Sequence, residues 1–259
     1  TSFLQPLFAG ITLDQNRMER SAFASFTFSA MSHGNMTMPK QGIEAVPNQI
    51  LQNLKSTEIK FNTTVTSVSS DAVSLGDGES IKADIVVLAT PQNVTQKLLG
   101  ATETPRRKET ATYVFSCKEA PLKRARLLLN TEYSEGNHKI LHVHVPTLLH
   151  GSDSHLVVAT VIGEDSRLHD QKSEQKKIRT ELINWFGSDA KDWSFIGTTY
   201  VDYALPSGGT TATGRERQSL IQDGIYCIGD HTMHPSVQGT LRSVERLLEH
   251  LEIPIPMKG

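Results

Sequence analysis

The chain has almost no cysteine, no long apolar run and no excess of charge of either sign, and each shortage removes a class of function. Its only cysteines, Cys117 and Cys227, both lie inside apolar runs, so they read as buried thiols in a reducing compartment rather than as a disulfide framework. No stretch approaches the roughly 18 to 20 apolar residues that a membrane span needs, and no basic-then-apolar leader opens the sequence. The expectation is a cytoplasmic protein without a membrane span. Lys and Arg number 26 against 28 Asp and Glu, a formal net charge of −2, which provides no long-range field for nucleic acid or anionic lipid. The short basic clusters Arg106-Arg107-Lys108 and Lys123-Arg124 with Arg126 read as solvated surface.

Motifs that carry chemistry are also scarce. There is no G-x-x-x-x-G-K-[ST], which excludes a P-loop nucleotide hydrolase. There is no G-x-S-x-G elbow, neither cysteine sits in an obvious basic pocket, and the adjacency of Ser32, His33 and Gly34 does not make a triad. His142 and His144 stand two apart on an expected strand and share a face, a legitimate start for a metal site. The nearby His138, His150 and His155 have no fixed spacing to that pair, and His231 and His234 are equally weak as ligands, so no metal is expected. The only G-x-G, Gly76-Asp77-Gly78, lies at a hairpin tip and reads as a turn rather than a phosphate cradle.

What remains is organisation. At 259 residues the chain can form one large domain or two small ones, each with a stable core. It starts without Met in "TSFLQPLFAGITLD", apolar and apparently mid-structure, and reads as an excised piece of something longer. Residues 3–32 have the texture of buried helix, and a further helix is expected over about 44–55, with Pro47 tolerable only in its first turn. A strand-rich block follows: "IKFNTTVTSV" at 59–68, "AVSL" at 72–75, a Gly-Asp-Gly turn, and "IKADIVVLAT" at 81–90, whose continuously apolar end predicts a central strand covered on both faces. Strands are expected at about 111–118, 125–130, 139–146, 155–163 and 194–203. Between them lies an amphipathic helix at 170–186 with Ile178, Leu182, Ile183, Trp185 and Phe186 as its buried stripe. A Gly/Thr-rich linker at 207–214 precedes the last segment.

That segment, "IYCIGDHTMHPSVQGTLRSVERLLEHL" at 225–251, is a short apolar strand, a turn through Gly229-Asp230, and a helix starting between Ser236 and Thr240 that packs through Leu241, Val244, Leu247, Leu248 and Leu251. Gly229 permits close backbone approach, and Asp230 projects at the carboxyl end of the strand, where open α/β sheets bind ligands. The free N–H groups and positive dipole end of the helix favour an electron-rich acceptor. An ordinary strand–turn–helix with a capping Asp explains the segment equally well taken alone.

Read in order, "MPKQGIEAVPNQILQNL" at 38–54, "IKFNTTVTSV", "IKADIVVLATP" at 81–91, "YALP" at 203–206 and the closing segment resemble the C-terminal part of the flavin-containing amine oxidoreductases, including the phytoene-desaturase-like and renalase-like branches. The resemblance implies an α/β and α+β fold: a partial FAD-binding Rossmann-like domain from 41–100 and 216–251, a discontinuous substrate domain from 1–40 and 101–215 with a mixed or antiparallel sheet flanked by helices, and a tail at 252–259. It implies Val65 as an adenine contact, Thr90 and Pro91 at the crossover beside the cofactor, Gly229 and Asp230 at the ribityl chain, and Gln238, Gly239 and Thr240 beneath the flavin's pyrimidine edge. The substrate would be a small apolar or amine-bearing molecule, walled by residues 1–32 and the sheet of 111–203. No catalytic acid or base is implied. Two departures stand out: Gln41-Gly42 where the family has Gly-Gly, and Ser243-Val244 where it has Ser-Gly. The family's opening strand and G-x-G-x-x-G turn, which hold the ADP pyrophosphate, have no counterpart here. The chain is therefore expected to be a C-terminal piece that is inactive and free of FAD by itself. The alternative is a noncatalytic binding or assembly domain that kept the fold and lost the cofactor.

Overall fold

The computed structural model describes residues 3–14, 21–34, 37–102, 107–133, 138–149, 153–167, 170–206, 220–222 and 224–254. The expected linker at 207–214 and residues 255–259 of the tail lie outside them. The fold is α/β, with antiparallel and mixed sheets and six α-helices among the described residues. The chain divides into two compact units, one from Thr1–Glu19 and Arg107–Leu205, the other from Arg20–Arg106 and Pro206–Gly259.

The first unit is built on five strands, β5 (Arg107–Cys117), β6 (Leu127–Leu129), β7 (His142–His144), β8 (His155–Ile162) and β9 (Ser194–Pro206), in the order β6-β7-β8-β5-β9. Alternation places Ala111, Tyr113 and Phe115 of β5 and Val157, Ala159 and Val161 of β8 on the inner face, where they form one core with Val143 and Val145. Helix α5 (Gln171–Phe186) covers that face. It starts where the Asp170 carboxylate accepts from the Lys172 amide at 3.1 Å and stops at Gly187, whose φ of 80° favours glycine. Ile178 and Leu182 are fully buried and Ile183, Trp185 and Phe186 pack beside them, as the 3.6-residue spacing predicts. Arg179 ties the helix to the following turn by donating to the carbonyls of Ala190, Lys191 and Trp193, while its guanidinium lies 5.0 Å from the centre of the Phe115 ring. Because Leu182 is enclosed by sheet and helix, Leu182→Ala is expected to cost this unit about 3 kcal/mol, transfer and cavity together. Urea unfolding followed by tryptophan fluorescence checks it, since both tryptophans, Trp185 and Trp193, belong to this unit.

Helix α1 (Leu4–Thr12) belongs to the same unit and buries Leu7 and Ala9. The His142 ring reaches its backbone, with Nε2 2.9 Å from the Pro6 carbonyl, and occupies the space a Cβ would take at Gly10. His142 thus serves packing. No group of three metal-ligating side chains occurs among the described residues.

In the second unit, α2 (Ser21–His33) and α3 (Ala45–Asn53) are helical as expected, but the large apolar side chains described on them lie outside the core. Phe26, Phe28 and Met31 of α2 and Val46, Ile50 and Leu51 of α3 are all exposed. Pro47 falls in the first turn of α3, where its missing N–H costs nothing. The run 59–68 is a strand only at β1 (Val65–Val68): Asn62 has a φ of 54°, a left-handed conformation that interrupts an extended run. β1, β2 (Ala72–Leu75) and β3 (Ser80–Lys82) form an antiparallel sheet closed by the expected Gly-Asp-Gly turn.

The stretch 81–90 is not one strand. β3 ends at Lys82, and after Asp84 a separate strand, β4 (Val86–Leu88), pairs in parallel with β11 (Ile225–Cys227), which pairs in turn with β10 (Leu220–Gln222). β4 is the end strand of that described sheet rather than its centre. Val86 and Leu88 pack with Ile225, while Val87 is 40% exposed, so its apolar side chain did not signal a second buried face. Two elements went unanticipated: β10, and α4 (Gln92–Leu98), which follows β4 directly with Pro91 as its N-cap.

Candidate functional site

Parallel pairing brings two chain exits together. Leu88 stands opposite Cys227, and the Ile228 amide continues the ladder to the Leu88 carbonyl at 3.0 Å. Thr90-Pro91 and Gly229-Asp230 therefore leave the carboxyl ends of adjacent strands, the location at which open parallel sheets hold ligands. Thr90 shares a 2.8 Å hydroxyl contact with Thr95 in the first turn of α4, which fixes that exit.

From Gly229 the chain makes one 3₁₀ turn, Asp230–Thr232, and enters α6 (Val237–His250). Ser236 is its N-cap. Its Oγ accepts from the Gly239 amide at 3.0 Å and lies 2.8 Å from Nδ1 of His234. Burial holds His234 below its ordinary value. The first amide with a backbone partner is that of Thr240, on the Ser236 carbonyl at 3.0 Å. Val237 and Gln238 precede that point, and their side chains are exposed. Ser243, one turn further along α6 and buried, accepts from the Gly229 amide at 2.9 Å and donates to the Thr240 carbonyl at 2.6 Å, binding the strand end to the helix.

The Asp230 side chain is 32% exposed and lies 3.8 Å from Nδ1 of His231. His231 is buried, and its Nε2 lies 3.2 Å from Sγ of Cys227. Burial works against charge on this ring, but the Asp230 carboxylate and the Cys227 sulfur outweigh it and raise His231 to about 9. The sequence places neither cysteine in an obvious basic pocket; in the structure Cys227 meets one imidazole, which comes from four residues ahead through the 3₁₀ turn, and no periodicity announces that fold-back.

The two glycines of the site answer to the chain itself. Gly229 has a φ of 138°, and a Cβ there would meet the His231 ring at 2.9 Å; a Cβ on Gly239 would run into the His234 carbonyl. The departures from the family pattern fit without strain. Gln41 has no positive φ and is exposed, the left-handed residue being Gly42 at 86°, and Val244 is half-buried on α6. Val65 is the outlier of the expected set: it opens β1, opposite Leu75 in the other sheet of the unit, and is exposed.

The donor set suits a flavin's sugar-like chain and ring edge. Asp230 is a part-exposed acceptor for hydroxyls, and the α6 start offers amide donors and a positive dipole end to an electron-rich edge.

Solved structures share this fold. A protein from Exiguobacterium sp. 255-15 proposed as a protoporphyrinogen oxidase is 17% identical with a TM-score of 0.66, the match covering 83% of this chain and 51% of that one. An oxidoreductase from Methanosarcina mazei is 16% identical with a TM-score of 0.60, over 80% and 53%. Reduced UDP-galactopyranose mutase is 12% identical with a TM-score of 0.63, over 83% and 52%. The chain thus spans about half the length of the structures it matches. No curated protein matches the sequence. Over residues 1–246 the sequence matches the family described as flavin containing amine oxidoreductase, and the chain belongs to that family.

Proposed function

We propose that this chain supplies the substrate-side sheet and the flavin-facing half of an FAD-dependent oxidoreductase. The observation that carries the reading is the pair of adjacent parallel strand exits, with Asp230 at one and the capped start of α6 behind it. Asp230 accepts hydrogen bonds from the ribityl hydroxyls. Gln238, Gly239 and Thr240 present the first turn of α6 to the pyrimidine edge, Thr90 and Pro91 line the neighbouring exit, and Val65 lies toward the adenine. When bound, the flavin supplies the centre that accepts a hydride from a C–H bond; the protein's part is to orient it and to exclude water.

The substrate is a small molecule with apolar surface or an amine. One structural neighbour is a putrescine oxidase bound to putrescine. The desaturase-like branch is favoured slightly, because Asp230 stands where amine oxidases often carry Glu and no aromatic pair lies near it in the sequence. The Rossmann-like domain is only partial, and with no G-x-G-x-x-G turn the chain lacks the main pyrophosphate contacts and does not retain FAD by itself.

Flavin fluorescence quenching tests this. Riboflavin and FAD should bind the chain with similar, weak affinity, ADP should not compete, and Asp230→Ala should abolish binding. A stoichiometric visible flavin band in the purified chain, or competition by ADP, would show that a phosphate site exists here and that the half-site reading is wrong.

A further inference from the structure

Cys227, His231 and Asp230 form a thiol–imidazole–carboxylate series, of which the flavin reading uses only Asp230. Sγ of Cys227 is 3.2 Å from Nε2 of His231, and Nδ1 of the same ring is 3.8 Å from the Asp230 carboxylate, an ion-pair distance rather than a hydrogen bond. The order is that of nucleophile, base and orienting acid. The ring has little freedom, since the space a Cβ would take at Gly229 lies against its Cε1 and Nδ1. Cys227 is 4% exposed and His231 5%, which shuts out bulky or charged electrophiles.

We propose that Cys227 is an oxidative modification site, a thiol that His231 activates for conversion to the sulfenic acid by hydrogen peroxide or a comparably small hydroperoxide. The proton shared between Sγ and Nε2 resides on the imidazole as sulfur attacks one peroxide oxygen. The S–O bond forms while the O–O bond breaks. Sulfur gives up two electrons, and the departing hydroxide takes them, collects the proton from Nε2 and leaves as water. The net change is thiol plus hydrogen peroxide to sulfenic acid plus water. The raised proton affinity of His231 supports its part in holding that proton, and Asp230 stabilises the imidazolium while it lasts.

The molecule contains its own control. Cys117 meets the backbone carbonyl of His155 at 3.7 Å instead of an imidazole, and burial raises its thiol above the ordinary value. The chemistry needs no bound flavin, because every group it uses is a side chain of this chain, Asp230 alone being shared with the proposed ribityl contact.

The test is a peroxide pulse on the reduced, folded 259-residue chain, stopped with catalase, followed by unfolding in dimedone and mass spectrometry of the two cysteine peptides. Cys227 should form sulfenic acid at least about a hundredfold faster than Cys117, the low end of what a positioned proton-transfer group contributes. The difference should vanish when the pulse is given to the urea-unfolded chain. His231→Gln should slow Cys227 to the rate of Cys117 with the circular dichroism spectrum unchanged. If that variant does not fold, the ratio within the wild-type molecule decides. Equal or slower reaction at Cys227 in the native chain, or a folded His231→Gln that reacts as fast as wild type, overturns the proposal.

Discussion

Gly239→Ala is expected to destabilise the second unit by about 3 kcal/mol, the upper end for forcing an extra methyl into a filled space. The added Cβ would collide with the His234 carbonyl oxygen and lie 3.0 Å from both the carbonyl carbon and the amide nitrogen of that residue. All three are backbone atoms, so no rotamer change relieves the contact. The backbone cannot easily retreat either, because the Ser236 amide donates to the His234 carbonyl at 2.7 Å and the Ser236 hydroxyl holds the His234 ring. Relief would require α6 to shift away from its own cap, breaking the Ser236 to Gly239 bond. Gly197→Ala serves as the reference, since a Cβ there meets nothing within 4 Å, and it should lie within about 0.5 kcal/mol of wild type. Urea unfolding by far-ultraviolet circular dichroism gives both values. Because the cost arises within the polypeptide, it should appear with no flavin present. A Gly239→Ala variant as stable as Gly197→Ala would mean that the glycine is there for a ligand.

Stability should also fall on either side of roughly neutral pH, and on the alkaline side His231 is the largest cause. Its value rises from 6.5 to about 9 on folding, so its contribution is full below about 6.5 and is lost as pH climbs through 9. The interval corresponds to about 3 kcal/mol at most. Above that range burial of Cys117 acts in the same direction, as does Tyr113, whose hydroxyl is raised to about 12 first by burial and then by the Glu174 charge. On the acid side the sign reverses. Burial lowers His142, His144 and His234, with the His142 charge adding to the effect on His144. Each therefore favours the folded state above its unfolded value of 6.5 and loses that contribution as pH falls. Unfolding free energies measured from pH 5 to 10 should peak between about 6 and 7 and decline toward 9, and His231→Gln should flatten the alkaline limb while leaving the acid limb. An alkaline limb that persists in that variant would assign the decline to other groups.

The elements that were legible in the sequence are those whose partner is local or whose pattern is strong. Helix α5 and its stripe, the β2–β3 hairpin, the long alternation of β5 and β8, and the start of α6 at Ser236 all follow from periodicity, turn chemistry and capping. The errors arise where the deciding contact is distant. Nothing within "IKADIVVLAT" reveals that Lys82 pairs back to Ala72 whereas Val86 pairs with Ile225, so two strands of two sheets read as one. Phe26, Phe28 and Met31 of α2 and the side chain of Leu241 read as core and are exposed, because spacing identifies a face without saying what covers it. At the site, Asp230 and the α6 start could be picked out by residue type and position. The contact of Cys227 with His231 and the Ser243 latch on Gly229 depend on the conformation of a 3₁₀ turn, which leaves no repeat in the sequence.

The chain passes between its two units at 19–20, 106–107 and 205–206, and this ordering has a kinetic consequence. On the ribosome, β4 emerges long before β11, and nearly all of the first unit is made between them. The parallel pair β4–β11 can close only after residues 107–205 have left the exit tunnel and folded out of the way, a non-local step of the kind that slows folding. Until then the edge of β4 that β11 will cover stands open next to the exposed Val87, in a form other nascent chains can pair with. Expression yield should therefore respond more to the speed of synthesis and to chaperones across 107–205 than to changes in the finished core.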